Sequence, residues 1–430
     1  MSRDQSSLWL YDRWIATVEK FANELALVDF ASARRWTFAQ LDALSKSPQS
    51  KERVVFASGQ NAEFIFTILR AWRTGQTVCP LEFSQLPPLL DEVPERFAHL
   101  KLTSASTGAA KCIAFTAEQL AADPANIVST MGLRPEWPNL ACISLSHSYG
   151  FSNFVLPLLL HAIPLVILSA PLPELLLRAS RDFSGIALAS VPALWRTWHE
   201  SNSIPGNVRL AISAGAPLPL ELEQQVFEKR GLKIHNFYGS SECGGIAYDR
   251  SGQPRIDSGF TGAAMDNVTL SLGSAGTLVV KSAAVGETYW PEARTTLRAP
   301  IFETTDLAEI QNGAVFLRGR ATDLINVAGR KVAPETIEGA LRQHPSIREC
   351  LVFGVSDATH ERFESIVGCV HLATKVQSAD LVRFLSERLP NWQIPRRWWF
   401  TRELHPNQRG KLSRAEWRQR FLQAHLAPDQ

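Results

Sequence analysis

Short apolar runs alternate with helix-spaced stretches along most of this chain, and that alternation limits the possible folds more than any other feature. The run Val54-Val55-Phe56 precedes a stretch with helical apolar spacing, Ala62 to Trp72, and Thr77-Val78-Cys79 follows it. Runs at 142–145, 165–168, 185–188 and 209–212 read as further buried strands. Residues 219–230 have helix spacing, with Pro219 suited to a first helical turn. Strand, helix, strand in repetition implies parallel sheets covered by helices.

From about Gly262 to Phe316 the pattern changes to short strands separated by turn residues, among them Asn312-Gly313, a favoured two-residue hairpin turn. Beyond Arg320 it changes again. Pro334 opens a helix carrying Ile337 and Leu341, strands follow at 350–355 and 365–372, and a helix runs from about Asp380 to Leu389. Ser413 and Glu416 are spaced as a capping box for a last helix. The chain's 430 residues exceed the ~250–300 at which one core stops growing. The expected class is therefore α/β. A large N-terminal domain (1–320) of stacked, mostly parallel sheets with helices carries a β-rich subdomain, and a small α+β domain (321–430) follows it.

Composition excludes several function classes. A hydrophobic fraction of 45% and a charged fraction of 20% are ordinary for a globular chain, and the net charge of +2 argues for neither nucleic acid nor a membrane surface. The stretch 154–177 is the most membrane-like. Pro157, His161, Pro164, Pro171, Pro173 and Glu174 break it, so it reads as a buried helix and a buried strand, without membrane insertion. No apolar run follows the charges of the first fourteen residues, so no secretory signal is expected. None of the six cysteines forms a C-x-x-C pair, which argues against zinc and against a dithiol centre. Their scatter suits reduced, buried thiols in a cytoplasmic protein.

Five segments carry residues with chemical potential. Thr103-Ser104-Ala105-Ser106-Thr107-Gly108, closed by Lys111, offers hydroxyls, backbone N–H groups and one cation to phosphates, although it is not a Walker loop. In Tyr238-Gly239-Ser240-Ser241-Glu242 an aromatic ring beside a glycine can lie flat against a ligand, and Glu242 is a hard oxygen ligand suited to Mg²⁺. Asp306 suits the two hydroxyls of a ribose, and Arg320, fourteen residues on, suits a phosphate or the same ribose. The fourth segment runs from Gly319-Arg320 to Gly329-Arg330-Lys331. The fifth, Gly410-Lys411 before the capped helix, places a lysine on a loop that could swing into a distant site. Each alone reads as an ordinary turn, strand end or solvated charge.

Together, in this order, they resemble the adenylate-forming superfamily of acyl-CoA synthetases, luciferases and peptide-synthetase adenylation domains. The likeness extends to Leu145-Ser146-His147-Ser148-Tyr149-Gly150-Phe151 and to Ser213-Ala214-Gly215-Ala216-Pro217-Leu218, and covers most of the chain from about Val54 to Arg414. It implies that a carboxylic acid attacks the α-phosphate of ATP, that pyrophosphate leaves, and that a thiol then takes the acyl group from acyl-AMP. Thr103, Ser104, Ser106, Thr107, Gly108 and Lys111 would cradle the β- and γ-phosphates. Ser241 would meet the α-phosphate, Glu242 would hold Mg²⁺, and Tyr238-Gly239 and Gly215-Ala216 would flank the adenine. Asp306 and Arg320 would bind the ribose, and Lys411 would bridge acid and α-phosphate.

The resemblance also implies that the C-terminal domain is mobile about a hinge near 319–323. That motion would carry Lys411 away and bring Gly329 and Arg330 to the thiol's path. His147, a candidate catalytic residue, would line an acyl pocket with Tyr149, Phe151, Asn153, Ser213 and Ile246. With no acidic partner for an ammonium there, an aryl or medium-chain acid is favoured over an amino acid. The acceptor would be coenzyme A or the phosphopantetheine of an acyl carrier protein. The sequence also departs from the pattern. Ala105 replaces a glycine, Ala109-Ala110 replaces a segment ending in proline, and Thr305 precedes Asp306 where glycine is usual. About 20 residues separate Leu81 from the phosphate segment, where a further strand–helix unit is expected, so the N-terminal domain looks trimmed. These departures leave open a non-catalytic nucleotide-binding relative of the same fold.

Overall fold

In the computed structural model, residues 7–46, 52–82, 85–88, 90, 92–103, 111–357, 360–405 and 412–425 are described, with the backbone alone at 103, 111, 357 and 360–363. The chain is mixed α/β, with a large sheet-rich N-terminal part and a small C-terminal part. Among the described residues the largest sheet has 14 strands, all but Leu297–Arg298 on one continuous path. Its first half is parallel: Leu25–Asp29, Leu165–Ile167, Asn139–Ala141, Ile186–Ser190, Val208–Ser213 and Ile234–Ser240 lie side by side. Ile186–Ser190 is buried at every position, as a parallel strand covered on both faces must be. From Gly244–Tyr248 onward the path turns antiparallel and forms the β-rich part.

A second, 5-stranded sheet has the order Thr288–Trp290, Lys111–Phe115, His99–Thr103, Thr77–Leu81, Val54–Ser58. One apolar cluster joins this sheet to the large one through the helices Ser7–Phe21, Ala62–Arg73, Ala117–Met131 and Leu156–His161. Asn61 caps Ala62–Arg73 by accepting from Phe64 N, and a Thr116/Gln119 capping box starts Ala117–Met131. A second cluster, with Trp195 and Trp198 at its centre, fills the other face of the parallel strands.

The C-terminal part is a 3-stranded sheet of Ile347–Asp357, His360–Leu372 and Arg397–Phe400. Period-two alternation sends Cys350 and Val352 to the face covered by Pro334–Leu341 and Ser378–Ser386, and Leu351, Phe353 and Val355 to the face covered by Arg414–His425.

The structure differs from the sequence reading in several places. The strand expected at 142–145 is Asn139–Ala141, and Pro219 is the N-cap of Leu220–Arg230 rather than its first residue. No helix or strand stands among the described residues between Thr77–Leu81 and His99–Thr103, yet the two strands are parallel neighbours, with Val78 opposite His99. The connection thus shows no strand–helix unit among its described residues. Residues 7–44 form a helix, a two-stranded hairpin and a second helix that the pattern did not suggest. Asn312 and Gly313 take the positive φ values, 51° and 80°, that their hairpin turn needs. All six cysteines are buried thiols. No helix among the described residues is long and apolar enough to cross a membrane.

Candidate active site

The site is built where Ile234–Ser240 ends and turns into Gly244–Tyr248. Gly239 lies so close to the returning strand that a Cβ would meet Gly244 O at 2.7 Å. Tyr238 is half-buried, and its phenol donates to Asp306 Oδ2 at 2.5 Å. Burial first, and the Asp306 charge second, hold that phenol well above its ordinary pKa, so it remains a donor. Arg320 Nε donates to Asp306 Oδ1 at 3.0 Å.

Asp306 and Arg320 meet because they are cross-strand partners in the hairpin of Ile301–Gln311 and Ala314–Arg320. A two-residue turn alone would set Gly319 opposite Asp306. An irregularity between Leu307 and Ala308 shifts the register by one residue and brings in the arginine. Gly319 has a φ of 120°, and a Cβ there would lie 2.6 Å from Ala333 Cβ, so no larger residue fits this turn toward the C-terminal part.

At the other end of the five-residue segment, Ser241 Oγ accepts from Ser148 Oγ at 2.9 Å. Glu242 Oε1 accepts from Tyr289 Oη at 3.0 Å, and its backbone carbonyl accepts from Gly286 N at 2.8 Å. The metal that this chemistry implies would find one well-oriented carboxylate here. Mg²⁺ commonly takes one or two carboxylates and completes its shell with phosphates and water, so the donor set fits. No group of three or more metal-ligating side chains occurs among the described residues.

Next to Glu242 are Asp123, which accepts from Ser152 Oγ at 2.5 Å and Gly245 N at 3.0 Å, and the buried Lys101. Burial pushes the Lys101 ammonium's pKa down, against the pull of Asp123, Cys243 and Glu242. Tyr289, Lys101, Asp123 and Ser148 were not singled out by the sequence. Ser148 lies inside a quoted motif, and a lysine amid apolar neighbours on a strand is a signal for Lys101; Tyr289 and Asp123 carry none.

The other expected residues fall in distinct places. Gly215 and Ala216 are on the turn after Val208–Ser213, Gly215 exposed and at a φ of 84°. Tyr149 Oη reaches Ser190 O at 3.4 Å and its ring packs 5.9 Å from Phe237. Ser213, opposite Ser190 in register, and Ile246 are fully buried nearby. Phe151 instead packs on His99, at 4.5 Å between ring centroids, and on Phe64. Asn153 is buried and donates to Tyr149 O. His147 caps the short turn, its Nδ1 accepting from Tyr149 N at 3.2 Å.

Thr103 ends one strand and Lys111 begins its antiparallel partner, paired with it in register. Ser104, Ser106, Thr107 and Gly108 lie outside the described residues, as does Lys411. Gly329 N–H donates to Asn326 Oδ1 at 3.0 Å, and Arg330 stacks over Trp392, so both contacts are within the C-terminal part. Arg414, three residues beyond Lys411, holds Asp323 and Glu335 at 2.7 Å and Glu338 at 2.8 Å.

A tyrosine ring near, and a glutamate just beyond, the C-terminal end of the parallel strand Ile234–Ser240, with Asp306 supplied by the antiparallel hairpin, suit a nucleotide-binding enzyme of the α/β class. Comparison with known proteins makes this specific. Residues 84–290 match the AMP-binding enzyme family, and residues 336–411 match the AMP-binding enzyme C-terminal domain. Feruloyl-CoA synthase of Amycolatopsis sp is 27% identical over 357 residues, covering 78% of this chain and 71% of its own. Anthranilate–CoA ligase of Pseudomonas aeruginosa is 28% identical over 360 residues, covering 76% and 67%. The ATP-bound structure of MatB from Rhodopseudomonas palustris superposes with a TM-score of 0.84 at 19% identity, over 97% of this chain and 99% of that one, which is a likeness of fold. The chain belongs to the AMP-binding, adenylate-forming enzyme family, and is a ligase of that class.

Proposed function

We propose that the protein activates an aromatic carboxylic acid with ATP and passes the acyl group to coenzyme A. The observation that carries this reading is the pair of sites at the two ends of 238–242. Tyr238, Asp306 and Arg320 suit a nucleoside at one end, and Ser241, Glu242 and Tyr289 suit phosphate and metal at the other. Aromatic acids are favoured by the aromatic and small polar residues near Ser213 and Ile246, and by the activities after which the feruloyl-CoA and anthranilate relatives are named.

The acid's oxygen attacks the α-phosphorus, and the bond from that phosphorus to the oxygen bridging to the β-phosphate breaks. Charge builds on the α-phosphate oxygens, beside Ser241 and within reach of Lys411 in the adenylation state. When bound, Mg²⁺ neutralises the pyrophosphate oxygens. Tyr238 and Asp306 contribute by holding the nucleoside still, which converts binding energy into orientation. The thiolate of coenzyme A then attacks the acyl carbon, AMP leaves, and the thiol proton goes to water. The requirement for ATP and coenzyme A fits a cytoplasmic setting. Residues 1–320 would form the adenylation domain and 321–430 the mobile one.

The test is pyrophosphate release from Mg-ATP across benzoic, cinnamic and straight-chain acids, with and without coenzyme A. Release with benzoic or cinnamic acids, and acyl-CoA seen by mass, is the expected result. Release with straight-chain acids alone would overturn the aromatic assignment. Release that never yields acyl-CoA would shift the acceptor to a carrier protein. ATP binding with no release would favour the non-catalytic relative.

A further inference from the structure

Arg255 lies in the loop between Gly244–Tyr248 and Phe260–Ala264, and its side chain is 1% exposed. Its Nε donates to Glu223 Oε2 at 2.8 Å and its backbone N–H to Glu223 Oε1 at 3.2 Å. Lys233 also bonds Glu223 Oε1 and reaches Asp249 Oδ2 at 2.7 Å. Two cations and two carboxylates thus balance one another out of water. Compared with apolar packing of the same volume, such a network adds little net stability. What it supplies is direction, because a guanidinium is a planar fork of fixed donors.

The rest of the fork goes to main-chain carbonyls. Nη2 donates to Leu218 O at 2.6 Å, and Nη1 to Phe260 O at 3.1 Å. Leu218 closes the turn that carries Gly215 and Ala216, and the other end of that turn is held by Ala214 N donating to Ser190 O at 3.1 Å. Phe260 O also accepts from Asn236 Nδ2 at 3.0 Å, two residues before Tyr238. The same loop meets the strand that ends in Arg320. Both Asp257 oxygens accept from Arg318 Nη1 at 3.1 Å, and Gly259 O accepts from Leu317 N at 2.8 Å. A Cβ on Gly259 would stand 2.4 Å from Leu317 O, so this approach is close. Arg255 is therefore linked, directly or through Phe260 O and its own loop, to all three segments assigned to the nucleoside.

We propose that Arg255 is a positioning residue for the nucleoside. It sets the turn 214–218 at a fixed distance from Tyr238 and from the hairpin of Asp306 and Arg320, so that adenine enters a gap of preset width. It touches no substrate itself. The inference rests on the adenylate-forming reading, under which Tyr238 and Gly215-Ala216 flank the adenine.

The experiment is calorimetry of AMP, Mg-ATP and Mg-tripolyphosphate, with a melting curve, on the wild-type protein, Arg255→Lys and Glu223→Gln/Arg255→Met. Lysine keeps the charge but not the fork. The double variant removes one cation and one anion together, so Lys233 and Asp249 still balance and the chain can fold without the fork. In both variants AMP and Mg-ATP should weaken by the same factor, roughly tenfold, the cost of ordering about one residue of freed turn on binding. Mg-tripolyphosphate, which has no nucleoside, should stay within about twofold. Wild-type nucleotide affinity in a folded variant of either kind would overturn the proposal and leave the network a charge balance alone. Equal losses for all three ligands would overturn it as well, since they mark a general loosening. A wild-type protein that binds none of the three would instead refute the adenylate-forming reading.

Discussion

Asp306→Asn changes one oxygen of one side chain, and the structure sets its consequence. A carboxylate has about four acceptor positions, two on each oxygen. Tyr238 Oη uses one on Oδ2 and Arg320 Nε uses one on Oδ1. One position remains on each oxygen, which matches the two hydroxyls of a ribose. Asparagine keeps a single acceptor oxygen. Turned toward Tyr238, it presents an NH₂ group to Arg320 and to one ribose hydroxyl. Arg320 has a side chain 57% exposed and can swing into water at little cost, so the unliganded protein should lose little stability. The nucleotide loses one hydrogen bond to a charged acceptor, about 1.5–3 kcal/mol, or roughly 10- to 100-fold in affinity. Because the ribose is common to both, ATP and AMP should weaken by the same factor. Titration calorimetry with each nucleotide, alongside thermal melting, measures this. An unchanged AMP affinity in a folded variant would refute the assignment of Asp306 to the ribose, and a loss confined to ATP would place Asp306 at the phosphates.

Three further outcomes can be measured. Tyr289→Phe removes the donor that orients Glu242, so the Mg²⁺ concentration for half-maximal ATP binding should rise by roughly three- to tenfold, with AMP binding unaffected; an unchanged Mg²⁺ midpoint would remove Tyr289 from the metal's support. Arg414→Leu takes the shared cation from Asp323, Glu335 and Glu338, leaving only Arg342 beside Glu338, and should destabilise the C-terminal part by about 3 kcal/mol near neutrality. Burial already holds the Glu335 carboxyl above its usual pKa despite Arg414, so its contribution to stability is present at low pH and lost as pH rises through that raised value. Losing Arg414 raises it further, so melting should show a larger deficit at about pH 8 than at about pH 5, and equal deficits would contradict the arrangement. Lys411→Ala should abolish adenylate formation yet still transfer the acyl group from supplied acyl-adenylate to the thiol, and equal loss of both steps would sink its assignment.

What could be read in the sequence was local. The helix Ala62–Arg73, the turn at Asn312-Gly313 and the helix begun by Pro334 follow from spacing, φ preference and capping within a few residues. Asp306 and Arg320 were legible as a pair only through their motif, because the register shift that joins them leaves no mark a period-two reading could detect. The strands at 25–29 and 34–37 escaped because their place in the large sheet comes from pairing with Leu165–Ile167, far along the chain. Phe151 follows Tyr149 in one motif, yet the helical turn there sends Tyr149 toward Ser190 and Phe151 toward His99. Tyr289 could not be anticipated at all, since its partner Glu242 is reached only when two distant segments are brought together.

The strand Thr288–Trp290 has a consequence for how the enzyme comes into being on the ribosome. It closes the small sheet by pairing with Lys111–Phe115, placing Tyr289 opposite Ile113. Lys111–Phe115 and Glu242 are therefore translated well before the strand that pairs with one and steadies the other. Until that strand emerges, Lys111–Phe115 presents an open hydrogen-bonding edge next to the buried side chains of Cys112, Ile113, Ala114 and Phe115, the kind of edge that recruits other chains. A nascent chain halted in that interval carries Tyr238, Ser241 and Glu242, but not yet Asp306 or Arg320, in an adhesive, unfinished sheet, so the arrival of three residues near position 290 removes an open edge before the candidate site is complete.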